Sequence, residues 1–127
     1  MQLHGSEPPK YTKLIKYPVI KCIRLKDTFD SGTAEKYPGI PLLLDTISSA
    51  AHGGTGEVFN WEIIPPAMRS RIILAGGISA SNIEYIYRNI RPMAVDLSSS
   101  LEKAPGQKDS NKVIEFLNII NNIRKEH

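Results

Sequence analysis

One cysteine, Cys22, is all this chain has for disulfide chemistry. A single thiol excludes an internal disulfide and a disulfide-stapled secreted domain, so a reducing compartment, by default the cytoplasm, is the expected setting. Long apolar runs are equally lacking. None approaches the roughly 18 residues of a membrane helix, and the opening MQLHGSEPPK has no apolar centre of the kind a signal peptide needs. Neither sign of charge dominates: 16 Lys and Arg face 13 Asp and Glu, a net charge of +3. The bases are scattered rather than blocked, which suits solvated faces and a small anionic ligand as well as nucleic acid. The three histidines, His4, His52 and His127, have no ligand spacing, and no metal is assigned to them.

What is present has an ordinary globular balance, 41% hydrophobic and 23% charged, in 127 residues. That is enough for one domain spanning 1–127, without a repeat or a linker, but short of the roughly 200 residues of a complete (β/α)₈ barrel. Four β-rich runs, 19–25, 40–47, 72–75 and 93–97, are separated by gaps long enough for crossover segments, the rhythm of parallel βα units. Three of the four are almost continuously apolar, as strands covered on both faces are. Ser81-Asn82-Ile83-Glu84 reads as a capping box, with Ile83, Ile86, Tyr87 and Ile90 on one stripe and Pro92 as the stop. A last helix follows Asp109-Ser110 and carries Val113, Phe116, Leu117, Ile120 and Ile123 on one side. Between 61 and 68, Pro65-Pro66 limits any helix to a turn on either side.

Chemistry is concentrated at strand ends. The run LLLD puts Asp45 at the C-terminal mouth of a strand, and Gly53-Gly54-Thr55-Gly56 follows, a string that reads either as a plain turn or as a loop shaped around a ligand. Leu74-Ala75-Gly76-Gly77 ends a second strand in paired glycines. Adjacent amides there either hold phosphate oxygens or simply make a strand-to-helix turn. A third strand runs Val95-Asp96-Leu97 into Ser98-Ser99-Ser100, where hydroxyls and amides could close the other side of an anion site.

Together, QLHGSE at the start, D-x₇-GGTG-x₂-F-x-W, LAGG and VDLSSSLE followed by PGQKD resemble the phosphoribosylanthranilate isomerase family of tryptophan biosynthesis. The resemblance covers the family's sequence from about its fourth strand onward. It implies an α/β fold, a partial (β/α)₈ TIM barrel of about strands 4 to 8 with parallel strands. It also implies an aldose–ketose isomerase acting on a phosphorylated aminosugar, without a cofactor, nucleic acid or membrane. Asp45 inherits the role of general acid. Gly53, Gly54, Gly76, Gly77, Asp96, Ser98 and Ser99 inherit contact with the substrate and its phosphate. The family's base is a cysteine on the first strand in a KxCG context, whereas Cys22 stands in VIKCIRL, aligned with the fifth, and is read as a small buried apolar residue. The base is therefore expected from a complementary N-terminal fragment, or else the exposed edges pair with a second copy. The alternative is a half barrel that binds phosphate or assembles without catalysing. Ser100 and Leu101 depart from the family's Gly-Val, and a serine at a positive φ would strain the loop.

Overall fold

A computed structural model describes residues 1–26, 28–46 and 59–126. Five strands form one parallel sheet in the order of the chain: β1 (Gln2–Leu3), β2 (Ile20–Leu25), β3 (Leu42–Thr46), β4 (Ile72–Ala75) and β5 (Ala94–Val95). Each pairs only with its sequence neighbours, so β1 and β5 are edges among the described residues. The four β-rich runs thus become β2 to β5: 72–75 keeps its bounds as β4, β2 and β3 start later than expected, and β5 is shortened to two residues.

The crossovers are short: α1 (Pro9–Thr12), α2 (Ser31–Glu35), α3 (Pro66–Arg69) and α4 (Ile83–Tyr85), which continues as a π-helical turn over Ile86–Ile90. A 3₁₀ turn at Trp61–Ile63 and α3 lie on either side of Pro65, as expected of the double proline. Arg91, at φ 55°, closes the turn before Pro92.

The capping box does not form. Asn82 rather than Ser81 borders α4 and makes no side-chain cap to it. Its amide instead reaches backward, accepting from the Ser79 N–H at 3.0 Å and donating to the Gly77 carbonyl at 2.8 Å. Asn competes well for such local turns, and here the glycine turn takes the side chain that the helix would have used.

The long helix α5 (Ser110–Lys125) starts as expected, with the Asp109 carboxylate accepting from the amides of Asn111 and Lys112. Phe116 and Ile123 are buried, but Leu117 is 54% exposed, a departure from the apolar stripe. A two-stranded antiparallel hairpin, β6 (Glu102–Ala104) and β7 (Gln107–Lys108), was not foreseen. Pro105-Gly106 makes its turn, with Gly106 at φ 76°, as a type II turn requires of its third residue.

The strands alternate between two environments. Leu25, Leu42, Leu44, Ile72 and Leu74 face the helices and join Trp61, Ile64, Ile83, Ile86, Ile90 and Phe116 in the main core. On the opposite, inner face Cys22, Leu43 and Ala75 form a small cluster with Ile20 and Ile73 against it. Lys21 falls on the outer face, with its side chain 5% exposed. It is paired there: its ammonium donates to the Gly5 carbonyl at 2.5 Å and to Glu7 at 2.7 Å, beneath the Tyr37 ring. Tyr37 in turn donates to the Glu7 carbonyl at 2.8 Å. A buried cation is tolerated only with such partners, and Glu7 of the QLHGSE string is accounted for by this structural task.

Candidate active site

Parallel register puts chemistry at one end of the inner face. Asp45 is the Cα partner of Ala75 on one side and of Arg24 on the other. Asp96 follows β5, its amide donating to the Leu74 carbonyl at 2.7 Å. Alternation from Leu43 directs Asp45 inward, away from the helices, at the C-terminal end of β3. There it lines a cavity of about 270 Å³ with Gly76, Gly77, Asp96, Ser98 and Ser99. Six residues singled out from the sequence therefore meet in one place, carried by three strand ends. His4, Cys22 and Ser100 border the same cavity. Gly53 and Gly54, with His52, Thr55 and Gly56, lie outside the described residues.

The glycine pair has a strict conformational reason. Gly76 and Gly77 both have positive φ, 76° and 67°, which disfavours any side chain. At Gly76 space is also closed, because a Cβ would come within 2.3 Å of the Thr46 carbonyl oxygen. Ser100 does not have the strain considered for it. Arg91 is the only non-glycine with positive φ among the described residues, and Ser100 sits in a 3₁₀ turn over Ser99–Leu101. Its hydroxyl is buried without a hydrogen-bond partner.

Cys22 is buried, 8% exposed, and packs with Leu43 and Ala75, in keeping with a small apolar residue. Burial first, and the charge of Asp45 second, push its thiol above the ordinary 9.0. A thiol so shifted is protonated at neutral pH and is a poor base despite bordering the cavity.

Two cations were not among the expected site residues, although Lys108 stands in the PGQKD string. Arg24 shares the row of Asp45, which two-residue alternation in VIKCIRL would have indicated once the strand's inner face was known. Lys108 reaches back from β7 to the Ser98 carbonyl at 2.9 Å, the Ser98 hydroxyl at 3.3 Å and Glu102 at 2.8 Å. The ammonium holds the Glu102 carboxyl below its usual range. This contact depends on the hairpin, for which the sequence signal was Pro105-Gly106. A larger groove, about 740 Å³, runs between α4 and α5 beside β5, floored by Ile86, Val95, Phe116 and Leu117. It contains none of the acid, glycine or serine residues above.

The model of the family described as N-(5'-phosphoribosyl)anthranilate (PRA) isomerase matches residues 1–119. The chain belongs to this family. It is 43% identical over 127 residues to the N-(5'-phosphoribosyl)anthranilate isomerase of Pelobacter propionicus, covering 99% of this chain and 61% of that protein. The isomerase of Trichlorobacter lovleyi is 44% identical over 119 residues, 92% of this chain and 58% of its own length. Among solved structures, the enzyme from Thermotoga maritima superposes with a TM-score of 0.79 at 34% identity, covering 95% of this chain and 60% of that one. The Thermus thermophilus enzyme gives 0.77 at 36%, covering 96% and 60%. A further isomerase structure, at 32% identity and a TM-score of 0.76, holds reduced 1-(o-carboxyphenylamino)-1-deoxyribulose 5-phosphate. The chain thus spans about 60% of the length of the relatives it matches. Among the described residues no helix is long and apolar enough to cross a membrane.

Proposed function

We propose that this chain is one domain, 1–127, supplying strands 4 to 8 of a phosphoribosylanthranilate isomerase barrel, with the acid and the phosphate-holding parts of its site. The observation that carries this reading is the convergence of Asp45, Gly76, Gly77, Asp96, Ser98 and Ser99 on one cavity. The substrate is N-(5-phosphoribosyl)anthranilate, and the product 1-(2-carboxyphenylamino)-1-deoxyribulose 5-phosphate, made by an Amadori rearrangement in tryptophan biosynthesis in the cytoplasm. Asp45 donates a proton to the ribose ring oxygen as the C1–O bond opens to a Schiff base. A base on the opposite side of the sugar removes the C2 proton, and the resulting enol becomes the ketose. The amides of Gly76 and Gly77 and the turn at Ser98-Ser99 hold the phosphate, Lys108 adds positive charge beside Ser98, and Gly53 and Gly54 belong to the substrate-binding set by family resemblance.

The base comes from a complementary segment carrying strands 1 to 3. Such a segment would continue the sheet at the edges of β1 and β5. Co-expressing it with this chain should restore growth without tryptophan to a strain lacking the isomerase. Asp45→Asn should lower activity by about 10² to 10⁴, the usual worth of a positioned acid. Equal rescue by Asp45→Asn would overturn the assignment of the acid.

A second reading is a phosphate-binding or self-assembling half barrel without catalysis, favoured by the two open edges of the sheet. It requires that inorganic phosphate stabilise the chain alone and that Asp45→Asn leave the stabilisation intact, with no rescue by any complementary segment.

A further inference from the structure

Thr46 comes directly after Asp45 and, by alternation, lies on the other face of β3, 5% exposed. Its hydroxyl donates toward two carbonyls across the sheet, that of Gly76 at 2.8 Å and that of Ala75 at 3.0 Å. One hydroxyl hydrogen is shared between them. These carbonyls belong to the peptide groups whose N–H are those of Gly77 and Gly76. All the peptides described are trans and a peptide group is planar, so each N–H points opposite to the carbonyl of its own group. Holding both oxygens toward Thr46 therefore turns both N–H groups away from it, and both glycines line the cavity. The fit is close: besides the carbonyl oxygen, the Thr46 amide nitrogen and hydroxyl would each lie 3.0 Å from a Cβ on Gly76.

We propose that Thr46 is a positioning residue, its hydroxyl setting the orientation of the Gly76 and Gly77 amides toward the oxygens of a bound phosphate. This rests on reading the cavity as a phosphate site. It adds that consecutive residues of one strand serve the acid and the anion cradle, Asp45 in front and Thr46 behind. The distance between proton donor and phosphate turn then follows from a single step along the backbone.

The test is amide NMR of the labelled chain, with and without inorganic phosphate. Thr46→Val keeps the β-branched shape and removes the donor. Without phosphate it should shift the Gly76 and Gly77 amide signals and speed their exchange, leaving Ile72 to Leu74 unchanged. It should also weaken phosphate binding by about three- to tenfold, the net worth of one hydrogen bond. Thr46→Ser should restore both. Parent-like Gly76 and Gly77 signals with parent-like affinity in Thr46→Val overturn the proposal. So does a uniform loss of protection across the sheet that Thr46→Ser does not repair, which would make Thr46 merely structural. A parent chain that ignores phosphate removes the phosphate reading. The phosphate-free Gly76 and Gly77 signals then still decide whether Thr46 orients the turn.

Discussion

The two faces of the sheet are built on different rules. Toward the helices, Leu42, Leu44, Ile72 and Leu74 are fully buried against side chains that also reach zero exposure, such as Ile64 and Ile86. Toward the inside, the buried set shrinks to Cys22, Leu43 and Ala75, and Ala75 already shares its row with Arg24 and Asp45, the glycine turn following directly after it. One face is occupied by packing and the other is left with groups that need partners. The larger apolar core is outside and the cavity-lining acids and glycines are inside, and the strand, alternating every residue, joins the two.

The widest separation between the faces should come from paired truncations. Leu74→Ala on the outer face should cost about 2–5 kcal/mol by creating a cavity in the close-packed core, with Leu43→Ala costing clearly less because the inner cluster has room to relax. Denaturant unfolding measures both, and equal losses would mean that the inner face is packed as fully as the outer. The glycine turn sharpens the contrast at the mouth of the sheet. Gly76→Ala meets both a positive φ and the Thr46 backbone, so a loss of about 2–4 kcal/mol is expected, against about 1 kcal/mol for Gly77→Ala, where no atom lies within 4 Å of the added Cβ.

A smaller effect concerns the ion pair between buried Lys21 and partly exposed Glu7 on the outer face. The Lys21 ammonium holds the Glu7 carboxyl below its ordinary 4.5. A carboxylate whose pKa is lower folded than unfolded stabilises the fold above the unfolded value, and that contribution fades as pH falls through the folded one. Melting temperature should therefore drop as pH falls below about 4.5. Glu7→Gln should remove this part of the dependence while lowering stability at pH 7.

The smallest effect is a change of rate on the inner face. Cys22 should react slowly with alkylating reagents at pH 7 and faster at alkaline pH. Asp45→Asn, by removing a negative neighbour, should lower the thiol pKa and raise the labelling rate, since the thiolate is the reacting form. An unchanged rate would separate Cys22 electrostatically from the acid.

Much of this was legible in the residues. Continuous apolar runs separated by crossover-length gaps announced parallel strands, because a strand covered on both faces has little use for polar alternation. Asp45, LAGG and the serine run were found because strand ends are marked locally, by an acid or glycines after aliphatics. What failed had one local signal that other contacts outbid or left unused. Asn82 left the helix cap for the turn at Gly77. Leu117 lies on an apolar stripe, yet stands exposed over the groove beside β5.

By itself, then, the sequence determined the family, the parallel βα order and the residues with the capacity for acid and anion chemistry, since each of these is a property of short strings and their periodicity. Only the tertiary structure decided their neighbours. That Arg24 stands in the row of Asp45, that Cys22 is buried beside an acid and that Thr46 reaches across to the carbonyls of Ala75 and Gly76 all depend on register between strands many residues apart, while the reach of Lys108 to Ser98 depends on the β6–β7 hairpin. Register is set by the packing of whole faces against one another, and no short stretch of the chain contains that information.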